Sequence, residues 1–236
     1  MSDDAPCRYL PSHEVADVGG PVVVIDVIRA FTTAAYAFEA GARHIYLVDA
    51  VVEALAFKAA HPGTIAMGED HGLRPEGFDL SNSPVGAATA DLEERTIVHR
   101  TSAGTRGVVA ARSADRIWCA SLVCASATAR AVVASRAGAV TYVITGDFAD
   151  RADRPGADDQ MTAEHIEALR LGGSPDPGEV ARRVAASEEA VRTLKLGEGH
   201  VHPDDIAYAT DVDRFAFTME VTRTADGLRL DRVDPI

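Results

Sequence analysis

The chain has 236 residues, 47% of them hydrophobic and 25% charged, which is enough to bury a sizeable core. Asp and Glu number 36 against 23 Lys and Arg, a net charge of −13, which excludes an extended nucleic-acid footprint and disfavours an anionic membrane surface. Three cysteines (Cys7, Cys119, Cys124) are too few for a disulfide scaffold, and no basic or apolar leader and no bilayer-length apolar run occur, so a cytoplasmic protein is expected.

The first element is PVVVIDVI (21–28), continuous in apolar character, as a strand buried on both faces is. AFTTAAYAFEAG (30–41) follows as a helix with Gly41 in the stop position. The alternation continues with strand RHIYLV (43–48), helix AVVEALAFKAAH (50–61) and strand TIAMG (64–68). A long loop, GEDHGLRPEGFDLSNSP (68–84), comes next, with Phe78 and Leu80 as apolar anchors. Strands RTIVHR (95–100), DRIWCA (115–120) and AVTYVIT (139–145) are separated by helices TRGVVAARS (105–113) and SATARAVVASRAG (126–138). This pattern implies βαβ crossovers and a largely parallel sheet.

After Thr145 the texture changes. Residues 146–159 read as an acidic loop, 160–171 as a helix and 179–197 as another, with the break GGSPDPG between them. FAFTMEVTR (215–223) reads as an edge strand. The expected architecture is a single α/β domain over 1–236. Its mostly parallel or mixed sheet is flanked by helices, with 146–200 as a helical addition packed on it.

In open α/β sheets, ligands bind outside the carboxyl ends of the strands. Those ends carry Asp26 and Arg29, Gly68 and Glu69, Arg100 to Ser102 with the turn Ala103-Gly104-Thr105, and Thr145 to Asp147. Carboxylates with an Arg, hydroxyls and helix N-termini suit phosphoryl chemistry with a hard cation. Each residue also has a plainer reading. Asp26 can cap the following helix, Arg29 can pair with Glu39 or Asp49, and Asp158 and Asp159 can be ordinary first-turn acids. The pair His200 and His202 reads as an exposed turn.

VVVIDVIRAFTT, GE…GFDLSNSP and TSAGTR, in this order, resemble the 2-phosphosulfolactate phosphatase family, and the likeness runs from the first strand to DIAYATDVDRF (205–215). The resemblance implies an α/β fold and magnesium-dependent hydrolysis of a small anionic phosphate ester. In the namesake reaction the product is sulfolactate. By this resemblance Asp26, Glu69 and Asp79 or Asp159 are expected to hold magnesium. Arg29, Ser102, Gly104, Thr105 and Arg106 are expected to bind phosphate, and Asn82 and Ser83 to orient the substrate. Asp26 and Arg29 are the catalytic candidates. Cation-activated water is the expected nucleophile, with an aspartyl-phosphate on Asp26 as the variant. Three positions depart from the family pattern: Ala103 replaces an Asn, Ser81 a Gly and Asp70 an Arg. A sulfonate-phosphate calls for more positive charge than this rim shows in the sequence.

Other classes fit less well. Ile28 stands where a haloacid-dehalogenase-like D-x-D would need its second Asp, and neither a phosphate-binding P-loop nor a G-x-G-x-x-G follows a strand. The remaining alternatives are a phosphohydrolase with a different small substrate and a non-catalytic metabolite-binding relative. The expected partner is a small anionic phosphate ester, not a nucleic acid or a membrane. The Ala-rich helices add a homodimer as a weaker expectation.

Overall fold

The computed structural model describes residues 7–136, 138–146 and 156–234. Among them, ten strands form one curled mixed sheet flanked by nine α-helices. The strands are β1 (Arg8–Pro11), β2 (Pro21–Ile25), β3 (His44–Val48), β4 (Ile65–Gly68), β5 (Leu80–Ser81), β6 (Thr96–Arg100), β7 (Arg116–Ala120), β8 (Thr141–Ile144), β9 (Thr218–Thr224) and β10 (Gly227–Val233). The helices are α1 (Ala30–Glu39), α2 (Val51–Ala60), α3 (Pro84–Thr89), α4 (Gly104–Ala110), α5 (Ala125–Ala134), α6 (Ala157–Arg170), α7 (Pro177–Ala185), α8 (Glu188–Thr193) and α9 (Asp205–Ala209).

The strand order is β1-β8-β2-β7-β9-β10-β3-β6-β4-β5. Two parallel groups, β1-β8-β2-β7 and β3-β6-β4-β5, are joined by the antiparallel hairpin β9-β10. The tail strand is therefore not an edge. β9 pairs with β7 on one side and β10 on the other, and its Met219 and Val221 enter the main core. β10 supplies the second neighbour after a tight turn at Ala225-Asp226, with Gly227 at φ +123°.

The burial pattern follows the residue pattern. β2 alternates: Val22 and Val24 face the core that holds α1, while Val23 and Ile25 face a second core with Trp118, Tyr142 and the α6 residues Ala163 and Ile166. Every residue of α1 from Ala30 to Phe38 is buried. A helix without a wet face must be enclosed, and the curled sheet with α3 encloses it. Each large aliphatic side chain buried in this way contributes about 1.5–3 kcal/mol.

The helical addition packs on the outer face through α6, and Val180 and Val184 of α7 meet Val27 and Leu122. The expected helix 179–197 is two helices. Ser187 breaks it and caps α8, its Oγ accepting the Ala190 N–H at 3.2 Å. The loop 68–84 leads into α3, where Ser83 is the N-cap and Pro84 the first helical residue. Asp147, Asp150 and Asp153 of the expected acidic loop lie outside the described residues. Among the described residues no helix is long and apolar enough to cross a membrane.

Candidate active site

Asp26 leaves β2 almost fully buried, and its Oδ1 accepts the Ala30 N–H at 2.8 Å. It thus plays the capping role and also lines a cleft of about 540 Å³. Its Oδ2 faces Gly104, where an added Cβ would lie 2.7 Å from both that oxygen and Ala30 Cβ. Only a residue without a side chain lets the first turn of α4 approach Asp26 this closely. Glu69 arrives from the other half of the sheet. Gly68 precedes it at φ +137°, and a Cβ there would lie 1.9 Å from the Arg100 carbonyl oxygen, so glycine is what lets the ends of β4 and β6 close together.

Two amides of the TSAGTR turn, expected to bind phosphate, have partners within the protein. The Ser102 N–H and Oγ both donate to Glu69, and the Gly72 N–H joins them. The Thr105 N–H donates to Thr101 Oγ1 at 3.0 Å, and Gly104 lies close against Asp26 Oδ2. The turn therefore positions the two acids. Arg106 lines the cleft and pairs with Asp49 at 2.9 Å. Ser102 and Ala103 also line the cleft, whereas Thr105 is buried behind it.

Arg29 is 3% exposed, and its Nη1 donates to Asp205 Oδ2 at 2.8 Å and to the His200 carbonyl at 2.9 Å. Asp205 also accepts from Ser83 Oγ at 2.6 Å, from the Val85 N–H and from the His202 N–H. Ser83 therefore supports Arg29 through Asp205 rather than lining the cleft. Asn82 does line it, with its Oδ1 3.3 Å from Nε2 of the buried His99. Desolvation pushes the His99 pKa down to about 3, so the ring is neutral and acts as a fixed donor.

Asp158 and Asp159 open α6, both buried. Asp159 accepts from the Val27 N–H at 2.9 Å, Thr145 Oγ1 at 3.1 Å and the Gly146 N–H at 3.0 Å. Among the described residues, Asp158 Oδ1 and Glu189 Oε2 are buried without a hydrogen-bond partner. Burial, then the charge of Glu69, raises the Asp26 pKa to about 6. Burial also raises Asp158, with Glu189 and Asp26 adding, and Asp159, with Asp158 and Asp26 adding. Neighbouring carboxylates that raise one another and leave oxygens unpaired fit a bound cation. Among the described residues no group of three or more His, Cys, Asp or Glu side chains is placed to hold a metal ion.

Asp79 is not part of this cluster. It bonds Lys58 Nζ through both oxygens at 2.7 Å and the Ala66 N–H at 2.8 Å, tying α2 to β4, and it does not line the cleft. Asp70, one of the departures from the family pattern, pairs with the buried Arg100 at 2.6 Å. The sequence reading missed Asp205, Glu189 and Arg192. In sequence they look like a first-turn acid and two charges on a solvated helix. The single helix expected over 179–197 hid the start of α8 at Ser187.

The model of the 2-phosphosulpholactate phosphatase family matches residues 8–223. A probable 2-phosphosulfolactate phosphatase of Bacillus subtilis (strain 168) is 31% identical over 213 residues, covering 89% of this chain and 91% of the relative. A protein of the same description from Thermus thermophilus is 39% identical over 210 residues, covering 86% and 85%. One from Deinococcus radiodurans is 35% identical over 223 residues, covering 86% and 87%. With two parallel half-sheets delivering their acids to one cleft and the family model spanning almost all of it, the chain belongs to the 2-phosphosulfolactate phosphatase family.

Proposed function

We propose that this chain is a magnesium-dependent phosphatase that hydrolyses a small anionic phosphate monoester of the 2-phosphosulfolactate class. The observation that carries the reading is the meeting of Asp26, Glu69 and Arg29 in one cleft, each held in place by hydrogen bonds to its neighbours. Family membership supports the same activity.

Arg29 is held rigidly by Asp205, so it presents a fixed cation to phosphoryl oxygens without reorganising. Asn82 offers a side-chain amide from the opposite half-sheet, held by the neutral His99. Asp26 and the neighbouring Asp158 are the carboxylates that would hold the cation, since magnesium keeps several waters and takes one or two carboxylates plus substrate oxygens. When bound, magnesium supplies Lewis-acid polarisation of a phosphoryl oxygen and offsets the charge of the acids. Glu69, fixed by two backbone amides, keeps an acceptor oriented at the cleft edge.

The test is inorganic phosphate release from 2-phosphosulfolactate, phospholactate and phosphoglycolate, with magnesium and with excess chelator. Magnesium-dependent release with a ranking among the esters is the expected result. A folded, metal-loaded protein that releases nothing from any of them would point instead to a binding protein.

A further inference from the structure

The cleft contains more positive charge than the sequence rim shows. Three guanidiniums line it: Arg29, Arg106 and Arg192. They differ in how far they are already engaged. Arg29 is fixed by its buried pair with Asp205 and is assigned to the phosphate. Among the described residues Arg106 pairs with the half-exposed Asp49. Arg192 meets Glu188 only at 3.9 Å, and Glu188 is largely exposed. Such solvent-exposed pairs contribute little, so both arginines can exchange their partner for a ligand anion at small cost.

The position of Arg192 is fixed. Ser187 caps α8, Ala190 of that helix is buried, and Leu196 just beyond it packs on Gly72. An added Cβ at Gly72 would lie 2.7 Å from Leu196 Cδ2, so the loop after β4 and the segment after α8 close on each other beside Arg192. The helical addition therefore forms a wall of the cleft, and the cation on that wall belongs to a different element from the residues assigned to the phosphate.

We propose that Arg192, assisted by Arg106 from α4, binds a second anionic group of the substrate, a sulfonate remote from the scissile phosphate, and so sets which phosphate ester is preferred. This rests on the phosphatase reading above. Arg192 and Arg106 are specificity residues here, since planar guanidiniums match the oxygens of a sulfonate with paired donors. They answer the shortage of positive charge noted in the sequence.

The experiment compares kcat and KM of the wild type, Arg192→Gln and Arg192→Lys on 2-phosphosulfolactate and on phospholactate, which lacks the sulfonate. The ratio of the two kcat/KM values should fall in Arg192→Gln by about 10- to 100-fold, the range of one charge-assisted hydrogen bond, mainly through KM, with partial recovery in Arg192→Lys. An unchanged ratio overturns the proposal, whether activity falls on both esters or on neither. If the wild type hydrolyses neither ester, the phosphatase reading fails by itself, and calorimetric titration with sulfolactate then decides. Binding that is lost in Arg192→Gln sustains the sulfonate site. Equal binding in both proteins, or none in the wild type, overturns it.

Discussion

Arg29 Nη1 and Asp205 Oδ2 lie 2.8 Å apart, both buried, across 176 positions of sequence. Removing one partner of a buried pair leaves an uncompensated charge. Asp205→Ala should therefore destabilise the fold by about 3–5 kcal/mol and loosen Arg29 in the cleft. Chemical denaturation measures the first effect and phosphate release the second. Ser83→Ala, which removes a cap and a bond to Asp205, should cost about 1–2 kcal/mol. Because the two residues touch, the double mutant should lose less than the sum of the single losses.

Gly104→Ala tests how closely α4 must approach Asp26. The added methyl meets Ala30 Cβ and Asp26 Oδ2, each at 2.7 Å, and neither neighbour is the free end of a long side chain. Overpacking of this kind costs about 1–3 kcal/mol. Activity should drop more than stability, because the displaced atom is the carboxylate oxygen. Comparing the melting temperature with kcat in this one variant separates the two effects.

Asp79→Asn should behave differently. Asp79 joins Lys58 and the Ala66 N–H outside the cleft. A loss of about 1 kcal/mol with near wild-type turnover is expected. A loss of turnover that added magnesium restores would return Asp79 to the metal site.

His99 sets an acid limit on stability. Its folded pKa, about 3, lies below the ordinary 6.5 because the ring is buried. The unfolded chain therefore binds the proton first as pH falls. Above about pH 6.5 the contribution is fully present, and it is lost progressively between there and pH 3. At pH 5 the loss is about 2 kcal/mol. Replacing His99 by Gln should flatten the decline in stability between pH 6.5 and 4, measured by urea unfolding across that range.

The acids of the site carry the opposite sign. Asp26 has its pKa raised to about 6 by burial and by Glu69, so its ionised form is disfavoured in the fold at neutral pH. Without metal, Asp26→Asn should stabilise the protein by about 1–3 kcal/mol at pH 8. The gain should shrink as pH falls through 6 towards 4, where the wild-type carboxyl is itself protonated. Magnesium should raise the melting temperature of the wild type and have less effect on the variant.

Much of the fold was legible because its signals are local. The run Val22–Ile25 reads as a buried strand from its composition, and Ala30–Phe38 reads as a helix that must be enclosed. The place of β9 was not legible, since its neighbours β7 and β10 are chosen by long-range pairing, and nothing in FAFTMEVTR distinguishes a central strand from an edge. That Asp26, Arg29 and Glu69 meet in one cleft was legible from their strand ends. Asp205, Glu189 and Arg192 were not, because each reads as an ordinary charge until the chain brings α8 to the cleft and Asp205 to Arg29. Asp79 shows the converse: an acid inside a family motif whose side chain pairs with Lys58 away from the cleft, which its place in the motif does not reveal.

The most direct test of the account is phosphate release from 2-phosphosulfolactate by wild type and Asp26→Asn, each with magnesium and with chelator, after circular dichroism has shown both to be folded. The account predicts magnesium-dependent release by the wild type alone. Release by Asp26→Asn at the wild-type rate, or wild-type release that survives the chelator, would contradict it.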